Sequence, residues 1–147
     1  MPDLELVQRL VVSVVLGGAL GFEREWRKKT AGLRTNILIA LGSCLFTMLS
    51  LALSATSGGD ATRIAAQIVT GIGFLGAGAI MRTGTDVQGL TTAATIWVNA
   101  AIGVAVGGGE YRIAFLAAAV ALVALIVLDP VERLIDRHHA GTIRNGQ

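Results

Sequence analysis

The chain is short of the residues that make a surface compatible with water. Only 15% of its 147 residues are Asp, Glu, Lys or Arg, while 53% are hydrophobic and the mean hydropathy is +0.67. A soluble core needs a polar shell, and this composition cannot provide one. The single cysteine, Cys44, lies inside an apolar run, which excludes an internal disulfide and a cysteine-based metal site. The only histidines, His138 and His139, are adjacent near the end of the chain, and no serine stands in a G-x-S-x-G setting. No reaction is therefore assigned, and the protein is expected not to be an enzyme and to need no cofactor. The first residues, Met1-Pro2-Asp3-Leu4-Glu5, are acidic where a secretory leader is basic, so the whole chain is read as mature.

What the sequence does contain is long uncharged stretches. Thr35 to Ala55, Ile64 to Met81, Val87 to Gly109 and Ile113 to Leu128 run for 21, 18, 23 and 16 residues without a charge. Helices of roughly 17–25 residues cross a bilayer. A fifth block, Leu10 to Phe22, has 13 residues and reaches that length only when Leu4 to Arg9 is added. Glu5 and Arg9 are then four apart and can pair, with Arg9 snorkelling to the headgroups. The fold expected is an all-α polytopic transmembrane bundle of about five helices, residues 1–128, in direct contact with the lipid bilayer.

The twelve Lys and Arg give a net charge of only +2 and flank the apolar blocks, which reads as a topology signal and not as a nucleic-acid surface. With five spans, Arg24, Arg27, Lys28, Lys29, Arg34, Arg82, Arg133, Arg137 and Arg144 fall on one side, against Arg9, Arg63 and Arg112 on the other. The positive-inside bias puts the N-terminus outside and the C-terminus in the cytoplasm. Residues 129–147 are expected to form a short cytoplasmic tail. Asp129, Pro130 and Glu132 there supply the start signals of a new helix, which Val131, Leu134 and Ile135 would lay on the membrane surface, and Ala140 to Gln147 are expected to be disordered. No internal repeat suggests the inverted halves of a transporter.

Gly71-Ile-Gly-Phe-Leu-Gly76 spells the dinucleotide fingerprint, but it lies inside an uncharged run whose backbone must stay hydrogen-bonded in lipid, and that context rejects a nucleotide. Gly71, Gly73, Gly76 and Gly78 instead offer a smooth surface for a neighbouring helix, or a point of partial unwinding. Gly17 with Gly21, and Gly103 with Gly107, are further pairs at four-residue spacing.

The fourth span carries a polar stripe of Thr91, Thr95 and Asn99, with Thr92 beside it. It serves either interhelical bonds worth on the order of 0.6 kcal/mol each, or a polar path completed by Gln67 and Thr70 on the third span. Charges mark the span ends: Glu23, Arg24 and Glu25, then Arg34 with Asn36, then Asp60 and Arg63. They are either interfacial ion pairs or inward-facing groups at a functional site. No carboxylate cluster stands out, which leaves Asp60 and Glu23 as the acids to test for a divalent cation.

Four segments in register, Gly21-Phe-Glu-Arg-Glu-Trp-Arg27, Ala31-Gly-Leu-Arg-Thr35, Arg63 through Gly78, and Gly89-Leu-Thr-Thr-Ala-Ala-Thr-Ile-Trp97, resemble the MgtC/SapB family of bacterial inner-membrane proteins. The resemblance covers about Leu6 to Leu128. It implies a multispan inner-membrane protein linked to growth at low magnesium and, in some members, to survival inside host cells. It further implies contacts with other membrane proteins, ATP synthase among them, and a homo-oligomer is expected from the glycine-rich span. Many members carry a cytoplasmic C-terminal domain after the last span. This chain stops near that point, which shifts the expected function onto the membrane part. By matching position, the resemblance draws attention to Glu23, Arg24, Arg34, Asp60, Arg63, Gln67, the four glycines of the third span, Thr91, Thr92 and Trp97.

Overall fold

A computed structural model describes the backbone of residues 2–60 and 62–144, and their side chains except those of Ser57, Asp129 and 131–144. Five helices follow one another: α1 Asp3–Trp26, α2 Leu33–Ser57, α3 Thr62–Ala79, α4 Leu90–Gly107 and α5 Tyr111–Arg144. Each uncharged run becomes a helix because that is how a chain in hydrocarbon satisfies its own backbone. Four of them, with Tyr111–Leu128 as the apolar part of α5, are long and apolar enough to cross a membrane. The fifth, α3, has 18 residues, carries Arg63, Gln67 and four glycines, and is not among those four.

Helix directions show that α3 traverses the bundle all the same. Asn36 meets Asn99, Ala40 meets Gly103 and Cys44 meets Gly107, so α2 and α4 run parallel with matching four-residue steps. The chain between them has to return the whole way, and 18 helical residues cover about 27 Å. Antiparallel α1 lays Gly17 against Ala40 and Gly21 against Leu33. A turn at Gly108–Glu110 reverses the chain into α5, which brings Ile126 beside Arg27. The start of α1 and Leu128 therefore lie at opposite ends of a five-crossing bundle.

Two local expectations change. The fourth helix begins at Leu90, not near Val87, because Met81–Thr83 and Asp86–Gln88 pair as a small antiparallel hairpin. Gly84, at φ +64°, takes the tight turn, and Gly89, at φ +89°, lets the chain enter α4 against the Ala79 carbonyl. The new helix start expected at Asp129–Pro130 is not made either, because α5 runs on through Pro130. Proline removes the N–H that would bond the Ile126 carbonyl, and the Arg27 guanidinium donates to that oxygen instead. The face of Val131, Leu134 and Ile135 lies outside the described side chains, and residues 145–147 lie outside the described residues.

Packing is inverted relative to a water-soluble bundle. Leu38, Phe74, Leu116 and Val120 are more than 60% exposed, while Asn36, Asn99 and Ser13 are fully enclosed. One apolar cluster joins Leu16, Leu20, Met48, Ile102, Val106, Ala114 and Ala118 across α1, α2, α4 and α5. A smaller one, with Ile39, Ile72 and Ile96, ties α3 to α2 and α4. Such an exterior suits acyl chains and would aggregate in water.

Candidate functional site

At the end of the bundle where α1 stops and α2 and α4 begin, the small residues bring three backbones close enough to bury a polar layer. Side chains at Gly103 and Gly107 would collide with the Ala40 and Cys44 carbonyls, the second at 2.6 Å, so α4 presses directly on α2. In that contact Asn99 Nδ2 donates to Asn36 O at 2.7 Å and to Asn36 Oδ1 at 3.0 Å. Asn36 Nδ2 in turn donates to Ala31 O and Gly32 O at 2.8 and 2.9 Å, fixing the loop before α2. About two helical turns along α4 toward the bundle end, Arg24 of α1 is 3% exposed and donates through Nη2 to Thr92 Oγ1 at 2.8 Å.

Charge is placed around this layer in defined pairs. Glu23, 8% exposed, holds Oε1 2.6 Å from Arg27 Nε, an ion pair without hydrogen-bond alignment, and its Oε2 has no hydrogen-bond partner among the described residues. Glu25 is exposed and accepts the Leu33 N–H at 3.0 Å, capping the α2 N-terminus with a negative charge. At the opposite end, Arg9 does not snorkel outward. It is buried, pairs with Glu5 at 2.5 Å and donates to the Gly107 carbonyl at the C-terminus of α4, where a cation offsets the helix dipole.

Sequence-derived candidates thus fall into separate places. Gly17, Gly21, Glu23, Arg24, Asn36, Thr92, Thr95, Asn99, Gly103 and Gly107 are all buried. Of the stripe expected as Thr91, Thr95 and Asn99 with Thr92 beside it, Thr92, Thr95 and Asn99 face inward and Thr91 is exposed. Thr95 bonds the Thr91 carbonyl of its own helix at 2.7 Å. Gln67 and Thr70 are both exposed on α3: Thr70 donates to the Ala66 carbonyl of its own helix, and Gln67 lines a cavity that Thr92 also lines.

The glycines of α3 also divide. Gly76 packs on Ala93 of α4, whereas nothing lies within 4 Å of where a side chain would begin at Gly71, Gly73 or Gly78. Gly71 and Gly78 line a groove of about 980 Å³ between α2 and α3, opposite Gly42 and Leu38, with Phe74 at its rim and Arg34 at one end. A second cavity of about 430 Å³ continues from it through Ile64 and Gln67 to Asp60 and Arg63. Asp60 has a structural task there: its Oδ1 accepts the Thr62 N–H at 2.8 Å and the Thr62 hydroxyl at 2.7 Å, starting α3. Those bonds, the backbone one foremost, hold the Asp60 carboxyl below the usual carboxylate range. Among the described residues no three His, Cys, Asp or Glu side chains converge, and Asp60 and Glu23 lie at opposite ends of the bundle.

Sequence reasoning missed a second polar stripe. Ser43, Thr47, Ser50 and Ser54 sit on one face of α2, with the first three buried. Ser43 and Thr47 oppose Gly103 and Gly107, while Ser50 and Ser54 line the second cavity. Their spacing of four, three and four within an uncharged run was the available signal.

The geometry can be set beside known proteins. The MgtC family model matches residues 10–134. The chain is 47% identical over 131 residues to "Protein MgtC" of Salmonella typhimurium, covering 89% of this chain and 55% of that protein. It is 43% identical over 143 residues to the "Putative magnesium transporter YhiD" of Escherichia coli, covering 92% and 66%. A Synechocystis protein, slr0014, is 48% identical over 132 residues, covering 90% and 56%. The chain spans about half the length of the first of these curated relatives. No solved structure matches it. A five-helix multi-pass membrane protein with these matches belongs to the MgtC family.

Proposed function

We propose that this magnesium-related membrane protein sits in the bacterial inner membrane and supports adaptation to low magnesium without catalysing a reaction. It acts through helix contacts with itself or with other membrane proteins. The observation that carries this reading is the groove between α2 and α3: Gly71, Gly78 and Gly42 leave their backbones bare there, and Phe74 is 81% exposed beside them. Bare glycine surfaces favour close helix approach, which in lipid is a main source of association energy. Family kinship supplies the magnesium connection, since relatives bear the names MgtC and magnesium transporter. The Lys and Arg majority at the end holding the polar layer supports a cytoplasmic position for that end.

The test is to replace Gly71 and Gly78 by Leu, which fills the groove without touching the α2–α4 contact. Both variants are expected to keep helical content and thermal stability while losing assembly in membranes and growth at low magnesium. Unchanged assembly and growth in both would remove the reading.

A second reading, a small oligomeric cation transporter, is favoured by one feature: the cavity that joins the groove to Asp60, Arg63, Gln67, Ser50 and Ser54. Magnesium flux into liposomes above that of empty vesicles, lost in Asp60→Ala, supports it, and no flux at any gradient counts against it.

A further inference from the structure

A third cavity, of about 280 Å³, opens between α1, α4 and α5 at the end of the bundle that holds the polar layer. Its volume is near the lower bound for sites that take organic ligands and far above the roughly 30 Å³ share of one water. Neither the family assignment nor the α2/α3 groove uses it.

The lining changes character in the same direction on all three helices. Arg27, Arg24 and then Leu20 run inward along α1, Thr91, Thr95 and then Val98 along α4, and Leu128, Leu125 and then Ala121 along α5. The mouth is basic and the depth is apolar. Among the described residues, three cations, Arg24, Arg27 and Lys29, line the cavity and no carboxylate does.

Those cations are held in place by the fold. Arg27 is fixed between Glu23 and the Ile126 carbonyl that Pro130 leaves without its helical donor. Arg24 is 3% exposed and anchored on Thr92. Lys29 is turned back over the bundle end by the way α1 stops: Lys28 takes φ +55°, its N–H bonds Glu25 O, and the Lys29 N–H bonds Arg24 O at 2.9 Å. That pair of bonds is a Schellman stop, here built with lysine at the position that usually takes glycine. The residue order also places the first turn of α4, through Thr91, at the mouth, and a helix N-terminus favours a phosphate.

A basic, helix-positive mouth above an apolar slot that opens toward acyl chains has the polarity of one molecule. We infer that this cavity binds an anionic phospholipid, its phosphate at Arg27 and Lys29 and the upper part of one acyl chain along Val98, Ala121 and Leu125. The lipid clamps α5 to α1 and α4 and so couples the last span to the membrane's content of acidic lipid.

The test uses the purified full chain in detergent, with retained lipid measured by native mass spectrometry and unfolding followed on heating. Phosphatidylglycerol is compared with phosphatidylcholine of the same chains and with inorganic phosphate. Phosphatidylglycerol alone is expected to be retained and to raise the unfolding temperature. Lys29→Gln, an exposed change that leaves the helix contacts intact, should lower retention about fivefold, the usual weight of one cation near an anionic headgroup. Ala124→Phe, which fills the apolar slot from an exposed position, should lower it as well. Arg112→Gln, an exposed change at the opposite end of the bundle, should leave it unchanged. Equal retention of the two lipids, or wild-type retention in both cavity variants, overturns the inference. Equal stabilisation by inorganic phosphate does so too, since the site would then take a free anion.

Discussion

The Arg27 guanidinium donates to the carbonyl oxygen of Ile126 at 3.3 Å, and that oxygen is the one Pro130 strips of its helical partner. A side chain 99 residues earlier thus repairs the backbone of α5 and lets the helix continue where proline would otherwise favour a break. The pair predicts a coupling. Arg27→Gln should cost about 1 kcal/mol more in the wild-type chain than in a Pro130→Ala chain, where the helix recovers its own N–H. Unfolding of the four proteins in detergent measures it, and an equal cost in both backgrounds would mean the contact is incidental.

Asn36 and Asn99 make the most enclosed polar contact of the bundle, with both side chains inaccessible. Asn99→Ala removes two hydrogen bonds in a setting without water, so a loss of about 1–3 kcal/mol is expected in the same unfolding measurement. A loss below a few tenths would show that α2 and α4 are held by backbone contact alone.

Glycines that look alike in sequence should behave in opposite ways. A side chain at Gly107 would meet Cys44 O at 2.6 Å, so Gly107→Ala should destabilise by about 1–3 kcal/mol through overpacking. Gly71→Ala and Gly78→Ala enter open space and should be neutral, or stabilise by up to about 1 kcal/mol through helix propensity. Stability curves of the three single variants decide this.

That division explains what the sequence shows and what it hides. Four uncharged runs, and a shorter first block extended through Glu5 and Arg9, located the five helices because charge is costly in hydrocarbon, and Gly103 and Gly107, spaced four apart, both lie against α2. Which helix they touch was not legible, since spacing along one helix says nothing about its neighbour. Gly71 and Gly76 were read as one surface because four glycines blur the helical periodicity, yet they face different directions. Arg9 was assigned to the headgroups on its position near the N-terminus, and only the approach of α4's last carbonyl reveals its burial. The proline at 130 carried a strong helix-start signal, and a contact from α1 overrides it.

Asp60 should give stability a pH dependence near α3. Its carboxyl titrates below the usual value in the folded protein because the ionised form accepts the Thr62 N–H and hydroxyl. The contribution is therefore fully present above the unfolded value of about 3.9 and is lost as pH falls through the lower folded value. Asp60→Asn should flatten that part of the profile, checked by unfolding the two proteins between acidic and neutral pH. Parallel profiles would mean the cap carries no ionic component.

Crosslinking in native membranes reads out whether the α2/α3 groove is where this protein meets another helix. Phe74→Cys sits on the groove rim, Val15→Cys on the outer face of α1, and the native Cys44 is fully buried. Phe74→Cys should form adducts with a second copy or another membrane protein severalfold above Val15→Cys, and should lose them when Gly78→Leu is added. Equal crosslinking at both positions, or adducts that survive the leucine, would contradict it.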